Sequence, residues 1–177
     1  LQAGMHEEMN ERDVMPTHRA LELLEDLSDM GTKAATFSGG GEPLLHKDIV
    51  QIMQHALDRN IDLSIITNGQ QLNGARAKVL AHAKWVRVSI DYTSAEQMTE
   101  SRNVPTRFYG EIIDNLRNFA AIKDKGCDLG INFIITQSNY NDIVPFARLM
   151  KSVGVENVRF SPVYVNNFVS YHAPIAD

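Results

Sequence analysis

Cysteine is nearly missing from this chain: its 177 residues contain one, Cys127. An internal disulfide is therefore excluded, and so is any multi-cysteine metal site made by this chain alone. Positive charge is also in the minority, with 17 Lys and Arg against 22 Asp and Glu and a net charge of -5. No broad basic face follows from that balance, and general electrostatic binding to nucleic acid is disfavoured. No apolar run approaches the roughly 18 residues needed to span a bilayer, and no charged-then-apolar leader opens the sequence. A soluble, cytoplasmic protein without a membrane partner is expected. The G-x-x-x-x-G-K-[ST] phosphate loop, the H-E-x-x-H zinc helix and the G-x-S-x-G nucleophile turn are all missing. The histidines at 6, 18, 46, 55, 82 and 172 never fall at metal-ligand spacing, and they are read as surface or capping residues. Glu7, Glu8, Glu11 and Asp13 are read as a solvated acidic face.

The hydrophobic content of 44% and charged content of 22% are those of a globular domain, and the length suits one core rather than two. Helical and strand periods alternate along it. Helix is predicted over 17–30, where Ala20, Leu23, Leu24 and Leu27 share one face before Gly31, then strand over 34–37. There follow helix 46–60, strand 61–67, helix 73–83, strand 85–90, helix 106–125, strand 129–136, helix 142–153 and strand 158–163. Leu63, Ile65 and Ile66, ended by Asn68-Gly69, read as a strand buried on both faces. Strands separated by single helices pair in parallel through right-handed crossovers, so five of them imply an α/β layer or a barrel. The polar strand ends, Ser38, Thr67, Asn68, Ser89, Asp91, Thr136, Gln137 and Ser161, would then converge on the binding site, because carboxyl ends do so in parallel α/β folds.

One junction is more specific. Gly39, Gly40, Gly41, Glu42 and Pro43, with Ser38 ahead of them, lie where the 34–37 strand ends and a helix is expected. Three glycines remove every Cβ from the turn, allow φ > 0 and let a ligand approach the main-chain N–H groups. Glu42 adds one negative charge, which argues against a phosphate cradle and for a cationic or amine-bearing ligand. A plain helix-entry turn, with Glu42 near the dipole and Pro43 in the first turn, is the competing reading.

Phe37-Ser38-Gly39-Gly40-Gly41-Glu42-Pro43, then Ile66-Thr67-Asn68-Gly69, then Val86-Arg87-Val88-Ser89-Ile90-Asp91 together resemble the core of a radical S-adenosylmethionine (SAM) enzyme. The similarity runs from about His18 to Tyr164. It implies a parallel partial (β/α)6 TIM-like barrel over 17–164, with residues 165–177 as a tail or lead into a further domain. In that family the glycine-rich segment and its acid bind the methionine amino group, a role that falls on Glu42. Ser89 and Asp91 match positions facing the methionine carboxylate or the ribose. Arg102 matches an arginine that pairs with the carboxylate, with Arg107 as the alternative. Asn132 resembles an inward polar residue near ribose or substrate, and 160–163, including Ser161, resembles the strand whose backbone meets the adenine edge. Thr67 and Asn68 are further cofactor or substrate contacts.

The resemblance also implies a 4Fe-4S cluster held by a C-x3-C-x2-C loop after the family's first strand. This chain has no such loop, and a lone Cys127 reads as an inert buried thiol rather than a ligand. The expectation is that the first strand and cysteine loop lie upstream of Leu1, with 1–16 as the loop's exit. A full-length enzyme would cleave SAM reductively and abstract hydrogen from an unidentified substrate, drawing electrons from a donor such as flavodoxin or ferredoxin. The present chain alone is expected to be inactive. A cluster-free SAM-binding or scaffold barrel and an unrelated acid–base α/β barrel are the alternatives. Asn166, Asn167, Tyr171 and His172 would either contact substrate or lead into a further domain.

Overall fold

A computed structural model describes residues 14–164. The acidic segment 7–13, His6, and the tail residues Asn166, Asn167, Tyr171 and His172 lie outside the described residues. Eleven helices and strands run in the order α1 (Thr17–Asp29), β1 (Ala34–Phe37), α2 (Ile49–Asp58), β2 (Asp62–Thr67), α3 (Gly74–Leu80), β3 (Trp85–Ser89), α4 (Ala95–Arg102), α5 (Arg107–Ile122), β4 (Asp128–Ile135), α6 (Ile143–Ser152) and β5 (Asn157–Pro162).

All five strands pair in parallel, in the order β1-β2-β3-β4-β5. An open doubly wound sheet reverses its strand order at a switch point, and this one does not. Sequential order with helical crossovers is instead the winding of a barrel wall.

The two faces of the sheet are made differently. Leu63, Ile65, Val86, Val88, Leu129, Ile131 and Phe133 are fully buried and pack with Met53, Leu116, Phe119, Phe146 and Met150 of the helices. Strand side chains alternate, so their neighbours in sequence point the other way. That second face carries Trp85, Arg87 and Ser89 of β3, Asp128, Gly130, Asn132 and Ile134 of β4, and Asn157, Arg159 and Ser161 of β5. It is polar and open, since apolar residues would have no helix to pack on there. A smaller cluster, Ala20, Leu24, Ile52, Ala56 and Ile61, seals α1 onto α2 at the start of the sheet.

Two elements depart from the periodicity. The helix expected from His46 begins only at Ile49, because Pro43–Leu45 form a separate 3-10 turn with Glu42 as its N-cap. An unanticipated helix, α4, fills the stretch after Asp91. Its sequence AEQMTESR buries only Met98, so no apolar stripe announces it. Its ends are nonetheless well marked. Ser94 Oγ accepts the Gln97 N–H, and Asn103 stops the helix in the left-handed region at φ 52°.

Candidate functional site

The Gly-rich turn and the end of β2 meet through one carboxylate. Glu42 Oε1 accepts the Leu44 N–H at 3.1 Å and the Thr67 hydroxyl at 2.6 Å, while Oε2 accepts the Asn68 N–H at 2.6 Å. Thr67 is 2% exposed, and its oxygen in turn accepts the Gly69 N–H at 3.1 Å. An ionised carboxylate offers about four acceptor positions, and three are filled here. The remaining one, on Oε2, suits an ammonium donor. Glu42 thus caps the turn, as the plain helix-entry reading expects, and one acceptor position on it is left over.

The glycines of the turn act through openness rather than backbone sign. Gly39 and Gly41 do not use the φ > 0 that glycine allows, and a Cβ at Gly41 would meet nothing within 4 Å. The glycine that the site does require is Gly69. It sits at φ +83°, and a Cβ there would lie 2.8 Å from Val88 Cγ1. Asn115 of α5 holds the same turn by donating to the Gly69 and Gln70 carbonyls at 3.0 and 2.9 Å.

A second cluster lies across the ends of β3, β4 and β5, where a cavity of about 330 Å³ is lined by Ser89, Ile90, Asp91, Arg102, Asn132, Ile134, Arg159 and Ser161. Five of these, Ser89, Asp91, Arg102, Asn132 and Ser161, are residues that the family resemblance singles out. Ser38 and the three glycines, Glu42, Thr67 and Asn68 form the neighbouring turn cluster and do not line this cavity. Arg107 lies at the start of α5 beside Glu111, 3.6 Å away, and does not line the cavity either.

The charges in the cavity are arranged unevenly. One nitrogen of Arg102, Nη2, donates to both oxygens of Asp91 at 3.1 and 2.8 Å. The other guanidinium donors stay available for a second carboxylate. Asp91 is placed by its backbone: Asn139, 3% exposed, donates through Nδ2 to the Asp91 and Ile134 carbonyls at 2.9 Å each. Its Oδ1 accepts the Thr136 N–H at 2.7 Å, so one buried amide ties the β3 and β4 ends together. Beside it, Asn132 Oδ1 is buried with no partner among the described residues. An orphaned acceptor is costly unless a ligand donor completes it. Asn139 and Arg159 had escaped the sequence reading. The alternation of Asn157, Arg159 and Ser161 on one strand was the available signal for the second, and nothing local marked the first.

Cys127 is 1% exposed at the N-terminal edge of β4, the end of the sheet away from this cavity, and burial pushes its thiol up to about 11. Among the described residues no three His, Cys, Asp or Glu side chains gather as a metal site. No described helix is long and apolar enough to cross a membrane.

The Radical SAM superfamily model matches residues 3–165. The chain belongs to that superfamily. Members use SAM together with a 4Fe-4S cluster, and the family consists of radical enzymes. One curated relative, the S-adenosylmethionine-dependent nucleotide dehydratase of Lacinutrix mariniflava, is 29% identical over 136 residues, covering 72% of this chain and 27% of its own length. The PqqA peptide cyclase of Xanthomonas axonopodis pv. citri is 31% identical over 134 residues, covering 72% of this chain and 34% of its own. The chain thus spans about a third of the curated relatives it matches. Among solved structures, Streptococcus suis SuiB bound to S-adenosylmethionine superposes with a TM-score of 0.72 at 19% identity, over 91% of this chain and 37% of that one. That likeness confirms the barrel fold.

The two cofactors fare differently against the residues present. A free acceptor on Glu42, a guanidinium with spare donors and an orphaned buried amide oxygen suit the ammonium, carboxylate and hydroxyl groups of SAM. A cluster needs several thiolates, and one buried cysteine at the far end of the sheet does not supply them.

Proposed function

We propose that this chain forms the SAM-binding wall of a radical SAM enzyme. The observation that carries the proposal is the pair of polar clusters at the carboxyl ends of parallel strands, one with an unfilled carboxylate acceptor and one with a guanidinium that engages Asp91 through a single nitrogen. When bound, SAM supplies the radical chemistry of the superfamily, a carbon–sulfur cleavage followed by hydrogen abstraction from substrate. The chain's own residues orient it.

In this assignment Glu42 takes the methionine ammonium on Oε2, where the Thr67 and Asn68 bonds fix the direction of the remaining lone pair. Arg102 takes the methionine carboxylate through the donors that Asp91 leaves free. The Asp91 contact is partly exposed, an arrangement worth about 0.2–1 kcal/mol, so it orients the guanidinium without withholding it. Ser89, Asn132 and Ser161 line the space between, where ribose hydroxyls can donate to Asn132 Oδ1. Ser38 and the open Gly39–Gly41 backbone leave room for close approach above Glu42. The thiolates for a cluster, and a one-electron donor of the flavodoxin or ferredoxin type, are proposed for the whole protein rather than for these residues. Its substrate is likewise open: the relatives' names span nucleotide dehydration and peptide cyclisation. The family match favours neither the scaffold barrel nor the unrelated acid–base barrel.

Calorimetric titration of the chain with SAM and with decarboxylated SAM tests the assignment. Arg102→Gln is expected to weaken SAM about tenfold, which corresponds to about 1.4 kcal/mol, and to leave the decarboxylated compound unaffected. Equal loss for both ligands would remove Arg102 from the carboxylate.

A further inference from the structure

We infer that the open face of the sheet carries an oxyanion subsite for the substrate, a carboxylate or phosphate pocket built on Arg159 with Arg87 beneath it. The inference rests on the SAM assignment above, because it concerns the charge that the cofactor leaves unmatched.

The acids of this face each have a partner. Asp62 faces Lys84 at 3.7 Å, Asp91 holds Arg102, and both oxygens of Asp128 accept from Asn157 Nδ2 at 2.9 and 2.8 Å. The two strand arginines do not. Arg159 lines the cavity, and its guanidinium makes no hydrogen bond or ion pair with a described residue. Arg87 is half-buried, and its Nε has no partner although it is shut off from solvent. Arg159 therefore brings an unmatched guanidinium to the cavity wall, and Arg87 adds a second uncompensated positive charge behind it.

The register brings these groups to neighbouring positions. Ser89 pairs with Asn132 and Asn132 with Arg159, while Arg87 lies one layer down beside Gly130. Gly130 is what makes the lower layer possible. A Cβ there would stand 2.6 Å from Asn157 Oδ1 and 3.2 Å from Arg87 Nε, so a larger residue would push Asn157 aside and crowd the arginine. Trp85 supports the other side, with the Arg87 guanidinium 5.5 Å from its ring centroid. The arginine is thus held in place by packing but not neutralised.

Bound SAM does not cancel this excess. Its carboxylate is matched by Arg102 and its ammonium by Glu42, and the sulfonium adds a further positive charge. The remaining requirement is an anion, and planar guanidinium groups match carboxylate and phosphate oxygens in a forked geometry. Substrates with such a group would be placed with it toward β5, beside the cavity.

Nitrogen-resolved NMR of this chain tests the subsite, with inorganic phosphate and acetate as separate probes and SAM affinity measured on the same samples. Saturable shifts of the Arg159 side-chain and Asn132 amide signals are expected with at least one probe, and the stronger probe distinguishes phosphate from carboxylate. Arg159→Gln should weaken that probe about tenfold while SAM affinity stays within about threefold, and Arg159→Lys should retain part of the affinity. The wild-type shift map does not depend on how well any variant folds. No saturable shift with either probe at millimolar concentration would overturn the inference. Parallel loss of SAM and probe in Arg159→Gln would do so too, by putting Arg159 in the cofactor site. Probe shifts at Arg159 in a chain that fails to bind SAM would support the subsite while rejecting the cofactor assignment.

Discussion

Gly69 and Asn139 show how single residues fix the site without touching a ligand. Gly69→Ala forces a side chain into the left-handed region and against Val88, and a loss of about 1–3 kcal/mol is expected in urea unfolding. Asn139→Ala leaves two part-buried carbonyls and one N–H without their partner. It should cost about 2 kcal/mol and loosen the backbone that places Asp91, so SAM affinity is expected to fall as well. A variant that lost stability while binding SAM normally would separate the two roles. At this scale legibility in the sequence was uneven. Glu42, Thr67 and Asn68 stand in short local motifs whose chemistry is visible in order, whereas Asn139 acts on residues 48 and 5 positions away. Long-range bonds of that kind leave no periodic trace.

Among the elements, the strands were the most legible. Runs such as Leu129 to Ile135 have β-branched and aromatic residues at a spacing that only a buried strand satisfies, and β1 to β5 lie within a residue or two of the expected spans. Helix α4 was invisible for the opposite reason. Seven of its eight residues escape full burial, so its existence rests on capping and on the groups it carries rather than on a hydrophobic stripe. It nevertheless presents Arg102 to the cavity. Ser94→Ala removes its N-cap, an interaction worth about 1 kcal/mol, and the last turn with Arg102 should become less ordered. Global unfolding should hardly move, while hydrogen exchange across 95–102 speeds up and SAM binding weakens. Unchanged exchange in that segment would show that α4 does not depend on its cap.

For the molecule as a whole, the all-parallel sequential sheet gives two faces with opposite duties: a helix-covered apolar face that holds the fold and a polar face that is left for ligands. Alkaline pH should expose the first. Burial, with a smaller contribution from the Asp91 charge, raises Tyr92 from 10.0 to about 12. Burial likewise raises Cys127 from 9.0 to about 11. Both groups stay protonated in the folded chain over a range where the unfolded chain has lost the proton. Their stabilising contribution is therefore intact below about pH 9 and declines as pH rises, first through the thiol and then, above about 10, through the phenol. Urea midpoints measured from pH 8 to 11 should fall accordingly, and Cys127→Ala should delay the onset. A flat profile would mean that neither group titrates differently on unfolding.

The most direct test of the cofactor site is calorimetry of SAM binding to the chain and to its Glu42→Gln variant. An amide at 42 loses the charge that attracts the ammonium and turns a donor toward the Thr67 and Asn68 donors. Measurable SAM binding that weakens at least about tenfold in the variant, with the unfolding midpoint changed far less, is the predicted result. SAM binding of equal strength in both proteins would contradict the assignment of the Gly-rich turn as the cofactor's anchor.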